Sequence, residues 1–190
     1  QVNQYFKITP DYDLNIMTFD QTLDDLTSRI MLSFGEVLDD FRPNLVILHG
    51  DTTTTMASSI AAFYSGAKVC HVEAGLRTYN KYAPFPEELN RQISARIADF
   101  HFAPTLKSQE NLLKENISIE NILITGNTVI DALFFAVKKV NSINNHKIES
   151  LKNIINFEKD IVLVTGHRRE NHGKGFINIC NAFLCIHRYI

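Results

Sequence analysis

The chain has 190 residues, 45% of them hydrophobic, and 21 acidic residues against 19 lysines and arginines give a formal charge of −2. That is enough apolar material for one packed core and the start of a second, while the balanced charge offers no field to gather nucleic acid or an anionic lipid surface. No apolar run reaches the length of a membrane span and no signal-peptide pattern opens the chain, so neither a membrane nor a nucleic-acid partner is expected. Cys70, Cys180 and Cys185 are odd in number and lack metal-ligand spacing. They read as free thiols in a reducing cytoplasm. The chain opens on Gln1 and stops at Ile190 inside an apolar helical pattern, and both ends are expected to be cuts in a longer protein.

In chain order, Leu23, Leu26, Ile30, Phe34, Val37, Leu38 and Phe41 share one helical face, closed by Arg42-Pro43. Leu45 to His49 is a continuous apolar run, as expected of a strand buried on both faces of a parallel sheet. Thr54 to Ser65 predicts a helix with Met56, Ile60 and Phe63 inward, ending at Gly66, and Lys68 to Val72 the next strand. Gly75 to Pro86 reads as a loop, with Pro86 starting a helix through Ile93 and Ile97. A strand over 99–103, a helix over 105–116, a strand over 121–125 and a helix over 128–140 follow. This β-α-β-α alternation predicts an α/β fold with a doubly wound, Rossmann-like parallel sheet. The polar stretch 141–146 is a linker candidate, followed by a short helix over 148–156, a fresh strand over 161–164 and a helix from Gly173. The expected organisation is a first domain over 1–140, a linker region over 141–157 and the beginning of a second α/β domain over 158–190.

Four polar islands follow these strands or open the helices: Gly50-Asp51 with Thr52 to Thr55, His71-Val-Glu73-Ala-Gly-Leu-Arg77, Pro84-Phe-Pro-Glu87-Glu88-Leu-Asn-Arg91, and Thr165-Gly-His167-Arg168-Arg169-Glu170. Ligands of open parallel sheets bind outside the carboxyl ends of the strands, so acids, an imidazole and cations gathered there point to an enzyme acting on a phosphorylated or nucleotide-linked substrate. Asp51 serves either as a helix cap or as a functional acid, and four adjacent threonines exceed what a cap needs. Glu73, partly buried at a sheet edge, suits acid–base work, with an ion pair to Arg77 as the structural alternative. His71 reads as a satisfied core histidine. Glu87 and Glu88, taken alone, only complement a helix dipole. One imidazole and two guanidiniums at 167–169 suit a phosphoester leaving group, or else a salt-bridged turn. No phosphate loop and no His-Glu-x-x-His spacing occurs, so a catalytic metal is not expected.

Together these strings, with Pro10-Asp-Tyr-Asp-Leu-Asn-Ile-Met17 and Gly126-Asn-Thr-Val-Ile-Asp131, closely resemble the non-hydrolysing UDP-N-acetylglucosamine 2-epimerases, in family order and over nearly the whole chain. The resemblance implies the two-domain glycosyltransferase-B-like architecture, here truncated. It implies interconversion of UDP-N-acetylglucosamine and UDP-N-acetylmannosamine for bacterial surface polysaccharide, on a UDP-sugar, with no cofactor, in a protein that forms a homodimer at full length. The family's catalytic residues fall on Asp51, Glu73, Glu87 and His167, and a nucleotide-sugar-binding arginine on Arg168. Thr52, Arg77 and Glu88, from the same strings, are expected to line the substrate. The family's opening Gly-Thr-Arg-Pro-Glu strand end and its later Asp-Ser-Gly-Gly and Glu-Glu motifs lie outside the sequence. A hydrolysing epimerase of the same fold, a catalytically inert remnant with weak ligand binding, and a related glycosyltransferase are the rival readings.

Overall fold

The computed structural model describes residues 2–142, 146–165 and 173–187. The chain divides into two compact units, Gln1–Asn127 and Thr128–Ile190.

In the first unit a short helix α1 (Val2–Phe6) and an irregular stretch precede α2 (Leu23–Phe41). Thr22 caps α2 in a capping box: its hydroxyl accepts from Asp25 N–H while the Asp25 carboxylate accepts from Thr22 N–H. Arg42 ends the helix in the left-handed region, and Pro43 prevents its continuation. Then follow β1 (Leu45–His49), α3 (Thr53–Tyr64), β2 (Lys68–Val72), α4 (Glu87–Ile97), β3 (Phe100–Ala103), α5 (Leu106–Lys114), a single 3-10 turn (Ile119–Asn121) and β4 (Ile122–Ile124). The four strands form one parallel sheet in the order β1-β2-β3-β4. The expected parallel α/β architecture is therefore present.

With successive strands adjacent and parallel, the right-handed rule for such crossovers puts the connecting helices on the same side of the sheet. The register agrees. Val46 aligns with Val69, and two residues on, Leu48 aligns with His71, His101 and Ile122. This face carries two adjoining cores. Val46 and Val69 meet Leu38 of α2 and Ala61 and Ala62 of α3, while Ala103 and Ile122 meet Ala95 of α4 and Leu112 of α5. The alternate face leaves Leu45, Ile47 and Leu123 exposed, Ile47 at 63%. Burial of β1 on both faces, expected from its unbroken apolar run, is not met among the described residues, because α2 and α3 pack against one face of it.

A second correction concerns α3. The predicted inward stripe of Met56, Ile60 and Phe63 is displaced: Phe63 is exposed, and Thr53, Thr55, Ala57, Ser58, Ser59, Ala61 and Ala62 are buried. The helix is wedged among α2, α4, β1 and β2. Such close approach on several sides selects small side chains over large apolar ones.

The second unit contains α6 (Thr128–Ser142), α7 (His146–Ile154) and α8 (Lys174–His187). Helix α6, expected to close the first domain, falls in this unit, and most of the expected linker is helical. Ile161 to Val164 forms no strand; a strand exists only by hydrogen bonding to a neighbour, and no described strand lies beside it. No described helix is long and apolar enough to cross a membrane.

Candidate active site

The carboxyl ends of the strands continue as hydrogen-bonded ladders into the predicted islands. Gly50 N–H donates to Val72 C=O at 3.0 Å, Ala74 N–H to Phe102 C=O at 3.0 Å, and Thr125 N–H to Ala103 C=O at 2.9 Å. Each loop thus starts at the same edge of the sheet. Asp51, Glu73 and Asn127 lie one to three residues past the ends of β1, β2 and β4.

Glu73 and Gly50 are in close apposition. A Cβ added at Gly50 would meet Glu73 Oε2 at 3.6 Å. Glu73 itself takes φ of +66°, in the left-handed region that non-glycine residues adopt at a cost. Its Oε1 accepts from the Asn127 side-chain amide at 2.8 Å. Next to it, Gly75 passes so close to α5 that an added Cβ would collide with the Ser108 carbonyl.

Asp51 sits between β1 and the first turn of α3. Its backbone carbonyl accepts from Asn90 Nδ2 at 2.9 Å, and its Oδ2 from Arg91 Nε at 3.0 Å. Both donors belong to α4, whose first residue is Glu87. Glu87 is half-buried, and its side chain makes no hydrogen bond among the described residues. Asp51, Glu73 and Glu87 are therefore brought to one edge of the first unit by β1, β2 and α4. Thr52 is exposed and caps α3, its hydroxyl accepting from Thr55 N–H at 3.2 Å; Thr55 in turn donates to His49 C=O at 2.7 Å. His167 and Arg168 lie outside the described residues.

Two expected substrate contacts are committed elsewhere. The Arg77 side chain has no exposed surface and forms a bidentate pair with Glu115, at 2.7 and 2.8 Å, rather than pairing with Glu73. Glu88 is fully buried, its carboxylate accepting from Thr78 N–H, Tyr79 N–H, the Gln92 amide and Arg91. Burial pushes this carboxyl up, but those hydrogen bonds and the Arg91 charge outweigh it, and the net direction is down. Neither residue has surface left in this structure for a ligand; both hold the loop between β2 and α4 in shape.

His71 is buried as expected, with Nε2 against the Gly50 carbonyl at 2.7 Å. A carbonyl only accepts, so Nε2 carries the proton and Nδ1 is left an acceptor, buried and without a hydrogen-bond partner among the described residues. Burial pushes this imidazole down from 6.5 to about 4, against the opposing effect of the Gly50 bond. His101, its register partner on β3, repeats the arrangement with Ala95 C=O at 2.9 Å.

Asn90, Arg91 and Asn127 stood in the strings read from sequence but received no role there. The contacts they make span 39, 40 and 54 residues of chain, which no local spacing reveals.

A parallel α/β sheet with carboxylates gathered past its carboxyl edge belongs to the Rossmann-like class, whose ligands bind outside that edge. Comparison with known proteins narrows it. The family model for UDP-N-acetylglucosamine 2-epimerase matches residues 1–189. The chain is 53% identical over 191 residues to the UDP-N-acetylglucosamine 2-epimerase of Campylobacter jejuni, covering 98% of this chain and 50% of that protein. It is 50% identical to the Escherichia coli K12 enzyme of the same name, covering 96% of this chain and 49% of that one. Among solved structures it superposes on the Neisseria meningitidis UDP-GlcNAc 2-epimerase bound to UDP-GlcNAc with a TM-score of 0.90 at 45% identity, over 99% of this chain and 51% of that one. The Methanocaldococcus jannaschii enzyme in complex with UDP-GlcNAc and UDP gives 0.85 at 32%, over 98% and 51%. The chain belongs to the UDP-N-acetylglucosamine 2-epimerase family, and it spans about half the length of the curated relatives it matches.

Proposed function

We propose that the protein interconverts UDP-N-acetylglucosamine and UDP-N-acetylmannosamine by eliminating and re-adding UDP, and that this chain supplies the acid–base half of the site. The observation that carries the reading is the convergence of Asp51, Glu73 and Glu87 at one sheet edge.

No carbonyl stands beside C-2 of the sugar to stabilise a carbanion, so direct proton abstraction is too slow. Breaking the C-1–oxygen bond first, with the electron pair leaving on UDP, puts positive charge at the anomeric carbon. Loss of the C-2 proton then gives a glycal with a C-1–C-2 double bond. Returning a proton to the other face of C-2, and the UDP oxygen to C-1, completes the inversion. Carboxylates stabilise the oxocarbenium-like stage, as in glycosidases. A base and an acid must face opposite sides of the ring. Asp51, Glu73, Glu87 and His167 are the groups assigned to these tasks. Thr52 at the start of α3 and Arg168 are assigned to the substrate, where helix-start amides and a guanidinium suit the departing diphosphate. Arg77 and Glu88, with their burial and full sets of partners, are assigned positioning roles instead.

The mechanism consumes no redox equivalent and asks for no cofactor. In line with the family resemblance, the protein is taken to work as a cytoplasmic homodimer feeding surface polysaccharide synthesis; its free cysteines fit a reducing compartment. The test is product analysis with the full-length protein and UDP-N-acetylglucosamine. Accumulation of UDP-N-acetylmannosamine to an equilibrium ratio supports the reading. Free N-acetylmannosamine with UDP would identify the hydrolysing reaction, and unchanged substrate would overturn an epimerase of either kind.

A further inference from the structure

We infer that the Asn90–Arg91 dipeptide of α4 is the positioning device for Asp51, fixing which carboxylate oxygen faces the sugar. The inference rests on the reading of Asp51 as a member of the acid–base set.

Two successive side chains of one helical turn hold Asp51 at two points, Asn90 at its backbone carbonyl and Arg91 at Oδ2. The other carboxylate oxygen, Oδ1, accepts no hydrogen bond among the described residues, and the Asp51 side chain retains 30% exposure. One oxygen is thus anchored and the other is presented. Arg91 is itself held. Its side chain is 11% exposed, and its Nη1 lies 3.3 Å from Glu88 Oε2.

Glu88 is immobile in turn, with four donors on its two oxygens and no exposed surface. Two of those donors are the backbone N–H groups of Thr78 and Tyr79 in the loop after β2. The orientation of Asp51 is therefore tied through Arg91 and Glu88 to the backbone of the loop that also carries Glu73 at its start. A guanidinium can make this bridge because its donors are fixed in a plane at separate positions. A lysine ammonium keeps the charge but is a single point on a flexible stem. If Arg91 merely neutralised buried Glu88, it would need no contact with Asp51 and Asn90 would need none either.

The test is a double-mutant cycle on the full-length protein. Arg91→Lys and Asn90→Ala are each made alone and on an Asp51→Asn background, with kcat, KM and melting temperature measured for all. Misplacing a reacting group by about 1 Å costs up to roughly 10²-fold, so Arg91→Lys is expected to lower kcat ~10-fold or more, with KM little changed. Asn90→Ala is expected to lower it by a smaller factor, and gives the readout if the lysine variant does not fold. On the Asp51→Asn background both losses should largely vanish, since there is no carboxylate left to orient. A loss of equal size in both backgrounds, or a change confined to KM, would overturn the inference. An Asp51→Asn protein of normal turnover would instead remove the role of Asp51 itself, a separate failure belonging to the parent reading.

Discussion

Glu73 occupies a backbone conformation that favours glycine, its φ of +66° costing about 1–2 kcal/mol for a side chain with a Cβ. Strain of this kind is retained where the side chain is needed more than the stability. Two variants separate these contributions. Glu73→Gln keeps the backbone and a hydrogen-bonding end group but removes the acid, and is expected to lower kcat by about 10²-fold or more. Glu73→Gly relieves the backbone and is expected to be equally slow, yet to melt no lower than the parent protein; a marked fall in melting temperature would show that Glu73 is held for structure. At this scale the placement of Asp51 and Glu73 at strand ends was readable from sequence, because each closely follows an apolar, β-branched run. Their partners were not. Arg77 was expected to line the substrate, with a pairing to Glu73 as the structural alternative, and instead reaches Glu115 across 38 residues of chain. Loop curvature decided that pairing, and no local spacing encodes it.

Among the elements, the strands and helices from α2 to β4 are found within one or two residues of where periodicity and turn residues put them, while α1 and the 3-10 turn were not expected. What periodicity could not give was which face of α3 turns inward. Hydropathy favours Met56, Ile60 and Phe63, but the space among α2, α4 and the sheet admits only small residues, so Ala57, Ala61 and Ala62 are buried. Volume overrides hydropathy there. Ala62→Leu is expected to destabilise by about 1–3 kcal/mol through overpacking, read as a lower denaturation midpoint, whereas Phe63→Ala on the exposed side should change it little. The same reasoning applies at the turn after β2. Gly75 combines φ of +87° with an approach to the Ser108 carbonyl that leaves no room for a Cβ, so Gly75→Ala should fail to accumulate as folded protein or melt many degrees lower. The strand expected over 161–164 shows the converse limit. An apolar β-branched run declares a tendency, but pairing needs a neighbouring strand, and the described residues provide none there.

For the molecule as a whole, the buried ionisable groups predict how stability depends on pH. His71 titrates near 4 when folded and near 6.5 when unfolded, so between those values the unfolded chain binds a proton that the folded one refuses. Stability from this source is full above pH 6.5 and falls on acidification, by on the order of 3 kcal/mol once the folded value is passed. His101 is lowered in the same direction by burial. Glu88, also lowered, contributes stability that is present above its ordinary value of 4.5 and lost as pH falls through the folded value. The drop in melting temperature between pH 7 and pH 5 should therefore be smaller in His71→Gln than in the parent, and an identical drop in both would contradict the assignment. The central claim is that the protein works by elimination and re-addition of UDP, with the carboxylates of Asp51, Glu73 and Glu87 in the acid–base set. Its most direct test is to run the full-length protein on UDP-N-acetylglucosamine in heavy water and read deuterium at C-2 by mass spectrometry and NMR. Deuterium at C-2 in the N-acetylmannosamine product and, with time, in recovered substrate is the predicted result; epimerised product that retains only protium at C-2 would contradict it.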